Sequence, residues 1–151
     1  MTKHEEFHAI MKRLAIEFYE ATGQEMLMPP PMHDTIETIY TDFDLGNFLN
    51  GRVRYDKKFA NPLANFQGGF LCAAIDNVIG PLSYTAANKA VVTFEMSTSF
   101  TRPFSSKEEY VDIFGSVVSK TRNILILKAE VKNKDNKLIA ISTHHSLILD
   151  K

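Results

Sequence analysis

Apolar residues recur at every third or fourth position from residue 4 to residue 22. Phe7, Ile10, Met11, Leu14 and Phe18 form the stripe, with Glu5, Lys12, Arg13 and Glu20 between them. That spacing predicts an amphipathic helix, and Gly23 supplies its stop. The run MLMPPPM, residues 26–32, follows. Three consecutive prolines exclude helix continuation and a central strand, so this run reads as an ordered connector. Residues 35–45 and 48–58 read as strands joined by a turn at Gly46-Asn47, with Ile36, Thr38 and Tyr40 on one side and Glu37, Ile39 and Thr41 on the other. After the loop ANPLAN, residues 67–89 are too long and too continuously apolar for a strand. They predict a buried helix from near Gly68, fraying near Asn88. Pro81 should disturb it, because its ring clashes with the carbonyl of Asn77 and it has no N–H.

The remainder alternates with a period of two. Val92, Phe94, Met96, Thr98 and Phe100 fall on one face of residues 91–101, and Thr93, Glu95, Ser97, Ser99 and Thr101 on the other, the pattern of a half-buried strand. Strands at 109–120, 123–132 and 138–149 follow, separated by turns at 120–122 and 133–137. The order is helix, two strands, a long apolar helix, then four strands in meander-like succession. Short turns favour antiparallel pairing. The expected class is α+β, an antiparallel sheet wrapped around a long central helix, with an extra N-terminal helix. The chain should be one domain over 1–151, with the helix and connector at 1–33 and the core at 34–151.

Composition narrows the function classes. The 151 residues carry 17 Lys+Arg against 18 Asp+Glu, a net charge of −1. That balance removes the electrostatic motive for nucleic-acid or anionic-membrane binding. One cysteine excludes an internal disulfide and a multi-cysteine metal site. The start, MTKHEEFHAIMKR, has no signal-peptide core, and no window is long and apolar enough to span a bilayer. A cytoplasmic protein is expected.

Asp76 is the residue most in need of an explanation. It stands among Ala73, Ala74, Ile75, Val78 and Ile79, where a carboxylate is costly unless paired or employed. Either it lies on a solvated stripe with Asn77 or it carries chemistry. Gly68-Gly69 opens the same helix. Free N–H groups and a partial positive charge at a helix start suit an oxyanion, although a tight loop-to-helix turn needs the same residues. Other residues point elsewhere. Cys72 has no histidine near it in sequence and reads as a small buried hydrophobe. His144 and His145, adjacent in a strand, point to opposite faces. His4 and His8 share a helical face without a third ligand, as on a surface helix. Glu95 is a reserve general base on the polar face of its strand.

The run Asn61-x5-Gln67-Gly68-Gly69-x6-Asp76, with a strand beginning Val92-Thr93-Phe94-Glu95 and ending Phe100-Thr101-Arg102-Pro103, resembles the hotdog-fold acyl-CoA thioesterases of the phenylacetate-degradation and 4-hydroxybenzoyl-CoA type. The resemblance covers residues 35–149. The family usually shows Asn-x-x-Gly-x-x-His-Gly-Gly, with an acid nine residues after the His. Here Gln67 stands in the His place and Ala64 in that of the preceding Gly, so no imidazole is available there.

The resemblance implies hydrolysis of an acyl-CoA, without metal or further cofactor, by a homo-oligomer: a dimer or a dimer of dimers. Asp76 would attack the thioester carbonyl or activate water. The N–H of Gly68 or Gly69 would hold the oxyanion. Asn61 would polarise the carbonyl or position the loop, and Thr93 would orient water. Phe66 and Phe70 could line an acyl pocket, and Arg102, Lys120 and Arg122 could receive the phosphates of coenzyme A, core packing and solvation being their ordinary roles. Eight residues of helix separate Gly68 from Asp76 by about 12 Å along the axis. One aspartate cannot close that gap to a carbonyl held at its own helix start. The expected site is therefore shared across a two-fold, Gly68 and Asn61 of one subunit facing Asp76 and Thr93 of the other. The N-terminal helix and connector would cap the acyl pocket or cover a dimer edge. Two other readings accompany hydrolysis: a non-catalytic acyl-CoA or fatty-acyl binder, which would not need Asp76, and an enoyl-thioester hydratase or dehydratase, which usually wants a His paired with an acid.

Overall fold

The apolar run at the centre of the chain becomes one 20-residue helix, α3 (Gly68–Ala87), closed by Asn88 in the left-handed conformation. The computed structural model describes residues 1–150. Before α3 come α1 (Lys3–Thr22), a one-turn α2 (Met32–Thr35), β1 (Thr38–Asp44) and β2 (Phe48–Arg54), and after it β3 (Val91–Phe100), β4 (Tyr110–Lys120), β5 (Ile124–Asn133) and β6 (Leu138–Ile148). The six strands form one antiparallel sheet in the order β1-β2-β4-β5-β6-β3. Its inner face touches α3 along all six strands, which is the hotdog arrangement.

Helix α3 is held by Ala74, Ile75, Val78, Ile79 and Leu82, all fully buried; each large apolar side chain so removed from water contributes about 1.5–3 kcal/mol. Two strand glycines admit it to the sheet. A Cβ on Gly51 would lie 2.8 Å from a Val78 methyl, and one on Gly115 would lie 3.1 Å from Ile79 and 3.2 Å from Val78. Gly51→Ala should therefore push α3 off the sheet, lowering stability by about 1–3 kcal/mol. Urea unfolding that shows the midpoint unchanged would contradict this packing.

The sequence pattern and the fold differ at several points. The four late strands are not one meander. β4, β5 and β6 are, but α3 carries the chain along the inner face to the far edge, so β3 pairs with β6 rather than β4. β1 starts at Thr38 because the residues after the prolines close a helical turn, Ile36 N–H donating to the Met32 carbonyl at 2.9 Å. β2 ends at Arg54 because Asp56 accepts from the Lys58 N–H at 2.9 Å and opens a 3-10 turn over Lys57–Phe59. Pro81 does not interrupt α3.

The largest correction concerns β3. Thr93 pairs with Ser146, but Glu95 pairs with His145, so the strand bulges at Phe94. A bulge inserts one residue and reverses which face the following side chains take. Thr93, Met96 and Thr98 lie opposite Ser146, His144 and Ser142, whose side chains are buried against the inner face. Thr93 therefore faces inward and does not share a face with Glu95, and the apolar row splits, Val92 turning out and Met96 in. Val92 is 51% exposed and Phe94 59%, on a strand at one edge of the sheet.

Candidate functional site

The corner before α3 is built by one side chain. Asn61 Oδ1 accepts from the N–H groups of Leu63 at 3.0 Å and Asn65 at 3.1 Å, and its own N–H donates to the Asn65 carbonyl at 2.7 Å. Of its two expected roles, the loop-holding one is thus visible. The loop forces Ala64 to φ 59°, the left-handed region that favours glycine. Ala64→Gly should relieve about 1–2 kcal/mol of strain and return about 0.4–1 kcal/mol of that through a freer unfolded chain. A small rise in melting temperature with unchanged far-UV dichroism is the expected result.

Gln67 is the N-cap of α3 and makes no side-chain capping bond. It is exposed, and the first bond of the helix runs from the Leu71 N–H to its carbonyl at 3.0 Å. The N–H groups of Gly68, Gly69 and Phe70 precede that bond and are free for a ligand. A Cβ on Gly68 would meet the Phe100 ring at 3.1 Å, whereas nothing lies within 4 Å of one on Gly69. A side chain at Gly68 would press on the aromatic ring above it, and Gly69 leaves an open approach. Gly68, Asn61, Phe66, Phe100 and Arg102 line a cavity of about 380 Å³ at this corner.

Asp76 lines a different cavity of about 490 Å³, shared with Thr93, Val91, Met28, Met32 and His33. Asp76 supplies the only charged side chain of this wall among the described residues. Its surface is open in the isolated chain, yet burial pushes its carboxyl above the usual carboxylate range. The two observations agree, because water reaches the carboxyl only through a concave mouth whose atoms displace much of its hydration. Thr93 reaches this wall through the bulge at Phe94, and its Oγ1 lies 3.5 Å from Ser146 Oγ. No residue lines both cavities among the described residues. Within one chain the structure brings Asp76 to Thr93 and Gly68 to Asn61, and keeps the two pairs apart.

The remaining candidates are dispersed. Arg102 stays near Gly68, its Nη1 donating to the Leu138 carbonyl at 2.9 Å. Lys120 instead closes the opposite end of α3, donating to the Ala86 carbonyl at 2.7 Å, with Arg122 in the turn that follows. Within the chain neither basic residue is brought to Gly68. Phe66 is buried, stacked on Phe104 at 5.0 Å, and Phe70, partly exposed, lies against Phe59 at 4.8 Å. Glu95 is engaged on the outer face by His145 at 2.7 Å, away from the inward-facing Thr93. His144 points inward as alternation requires and bonds Ser142 Oγ at 3.0 Å; burial, with His145 beside it, pushes its imidazole down to about 4. Cys72 is a half-buried free thiol.

Sequence reasoning missed the wall opposite Asp76. Met11 and Phe18 of α1, Met26 and Met28 of the connector, and Met32 and His33 of α2 supply it. The N-terminal segment thus walls the cavity that holds Asp76. The signal was present as three methionines and three prolines within residues 26–32, a flexible apolar run that binding pockets use. His4 and His8 are not on a free surface either. His4 Nδ1 accepts from the Tyr40 N–H at 3.0 Å, and the His8 ring lies 6.0 Å from that of His33. Among the described residues no helix is long and apolar enough to cross a membrane.

Comparisons with known proteins bear on this arrangement. The model of the thioesterase superfamily matches residues 65–140, half of the chain, running from the corner before α3 to the start of β6. No curated protein sequence matches. Among solved structures, the PaaI protein of the E. coli phenylacetic acid degradation operon superposes with a TM-score of 0.75 at 15% identity, over 91% of this chain and 94% of that one. A Streptococcus mutans protein bound to acetyl CoA superposes with a TM-score of 0.71 at 18% identity, over 76% and 90% of the two chains. A Haemophilus influenzae thioesterase gives 0.71 at 16% identity, over 80% and 84%. At these identities the likeness to solved structures is one of fold. Together with the match over α3 and the strands that enclose it, it identifies a hotdog-fold protein that belongs to the thioesterase superfamily.

Proposed function

We propose that the protein hydrolyses an acyl-CoA thioester, and that Asp76 carries the reaction. The observation behind this reading is one carboxylate, raised in pKa by burial, in the wall of an otherwise uncharged, methionine-rich cavity. Membership of the thioesterase superfamily supports the reaction class, and a fold neighbour bound to acetyl CoA supports the substrate class. The acyl group enters the cavity beside Asp76. The thioester carbonyl lies at the free N–H groups of Gly68 and Gly69 of a second subunit, which stabilise the oxyanion as the carbonyl becomes tetrahedral. The diphosphate of coenzyme A then passes near Arg102.

Two routes are open to Asp76. As a general base it takes a proton from a water held by Thr93; the hydroxide adds to the carbonyl, the C–S bond breaks, and the thiolate recovers the proton. As a nucleophile it adds directly, expels the thiolate and leaves a mixed anhydride that water opens. A single turnover in 18O-water identifies the nucleophilic route when water opens the anhydride at the Asp76 carbon, because the first product then carries a protein oxygen and the label stays on Asp76.

Thiol release from a panel of short, long and aromatic acyl-CoAs tests the reaction, with enoyl-thioester hydration assayed alongside. Saturable release from at least one member is the expected result. Binding of acyl-CoA without release would leave a non-catalytic module instead.

A further inference from the structure

Proline inside a helix leaves the carbonyl four residues earlier without its intrahelical donor. In α3 that carbonyl belongs to Asn77, next to Asp76, and Asn77 is buried. A buried unpaired carbonyl is costly. Here it is not unpaired: the hydroxyl of Tyr40, on β1 and almost fully buried, donates to it at 2.9 Å. A carbonyl can only accept, so the single phenolic proton is committed to Asn77. The second contact of that hydroxyl, to His33 Nε2 at 3.2 Å, must then have the imidazole N–H donating to the phenolic oxygen. Burial raises Tyr40 and lowers His33, which keeps both in the neutral forms this chain of donors requires.

The side chain of Asn77 joins the same segment. Its Nδ2 donates to the Ile36 carbonyl at 3.2 Å and to Thr38 Oγ1 at 3.3 Å. The neighbours of Asn77 along the core face of α3 are Ile75, Val78 and Ile79, whose attraction to the sheet is non-directional. Apolar packing sets how close the helix lies. The bonds from residues 36–40 set how it is turned about its axis at the residue beside Asp76.

We propose that Tyr40 and Pro81 act together as positioning residues for Asp76: the proline vacates the Asn77 carbonyl, and the tyrosine hydroxyl fills the vacancy and fixes the direction in which the neighbouring carboxylate points. The inference rests on the proposed hydrolysis for its consequence in turnover, but its geometry does not.

The test is a double-mutant cycle on the full chain, read two ways. Tyr40→Phe removes the donor. Pro81→Ala returns an N–H to the Asn77 carbonyl and displaces the same bond. Each should lower kcat about 10- to 100-fold, the scale of small misplacements of a catalytic group, with KM for acyl-CoA moved far less by Tyr40→Phe. The double variant should be no slower than the slower single, because both changes break one bond. Independently of activity, 13C-aspartate NMR follows the carboxyl of residue 76, assigned by its loss in Asp76→Asn. Its titration midpoint should fall toward the ordinary carboxylate value in both single variants as the group turns to water. A merely structural role for Tyr40 would lower the melting temperature and leave that midpoint and kcat in place, which overturns the proposal. Multiplicative effects in the cycle overturn it as well. If Tyr40→Phe does not fold, Pro81→Ala alone decides by the same midpoint. If the midpoint moves but no variant, nor the parent, releases thiol, the hydrolase reading fails and the positioning stands.

Discussion

Asp76→Asn should reduce thiol release by about a thousandfold, the scale for removing a positioned acid–base group, while acyl-CoA binding survives. The substitution keeps the size of the side chain, removes the charge and exchanges one accepting oxygen for a donating NH2. Because burial holds the Asp76 carboxyl above the usual carboxylate range, activity in the parent should decline on the acid side through a midpoint above that range. Stability should respond with a definite sign. A folded-state pKa above the unfolded one means that ionisation opposes folding. The contribution favours the fold below the unfolded value and is lost as pH rises through the folded value. At neutral pH Asp76→Asn should therefore be at least as stable as the parent, and the difference should vanish in acid. Melting temperatures of both proteins across pH 3–8, with thiol release on the same samples, check both halves. Release within about twofold of the parent would remove Asp76 from the mechanism. A variant less stable at neutral pH would show that the charge is paired in the folded state.

What the sequence revealed of this molecule follows from the range of the interactions involved. The central helix was legible because its signal is local: a long apolar run opened by Gly68-Gly69 and closed at Asn88, the observed α3 ending one residue earlier. Asp76 stood out for the same reason, a charge inside that run. The bulge at Phe94 was not legible, because a bulge exists only relative to a partner strand, here β6 some fifty residues away. Consequently Thr93, which lines the same cavity as Asp76, was placed on the wrong face. The N–H that Pro81 withholds from the Asn77 carbonyl was legible, although the expected disturbance of the helix is not observed. The tolerance of the proline was not legible, since the compensating hydroxyl comes from Tyr40, 37 positions earlier. His33 escaped notice because its significance lies in what faces it, Tyr40 on one side and the Asp76 cavity on the other.

Mixing two inactive variants should restore activity, and the amount follows from symmetry. The carboxylate and the helix-start amides lie in separate cavities of one chain, and β3 is a free edge with Val92 and Phe94 exposed on it. Such an edge invites pairing with its own mate, and a two-fold through it would set each Asp76 against the other chain's corner. Asp76→Asn removes the acid. Gly69→Leu blocks the amides from the ligand side, where an added Cβ meets nothing within 4 Å, and should leave the fold alone. A hybrid of the two holds one site with both defects and one with none. Random assortment makes half the dimers hybrids with one good site in two, so co-expression should recover about a quarter of the parent rate. A site confined to one chain would instead leave every site with one defect and recover nothing. Native mass spectrometry of differently tagged chains establishes that hybrids are present. Hybrids without thiol release would overturn the shared site, because a site built from both chains leaves one intact copy in every hybrid.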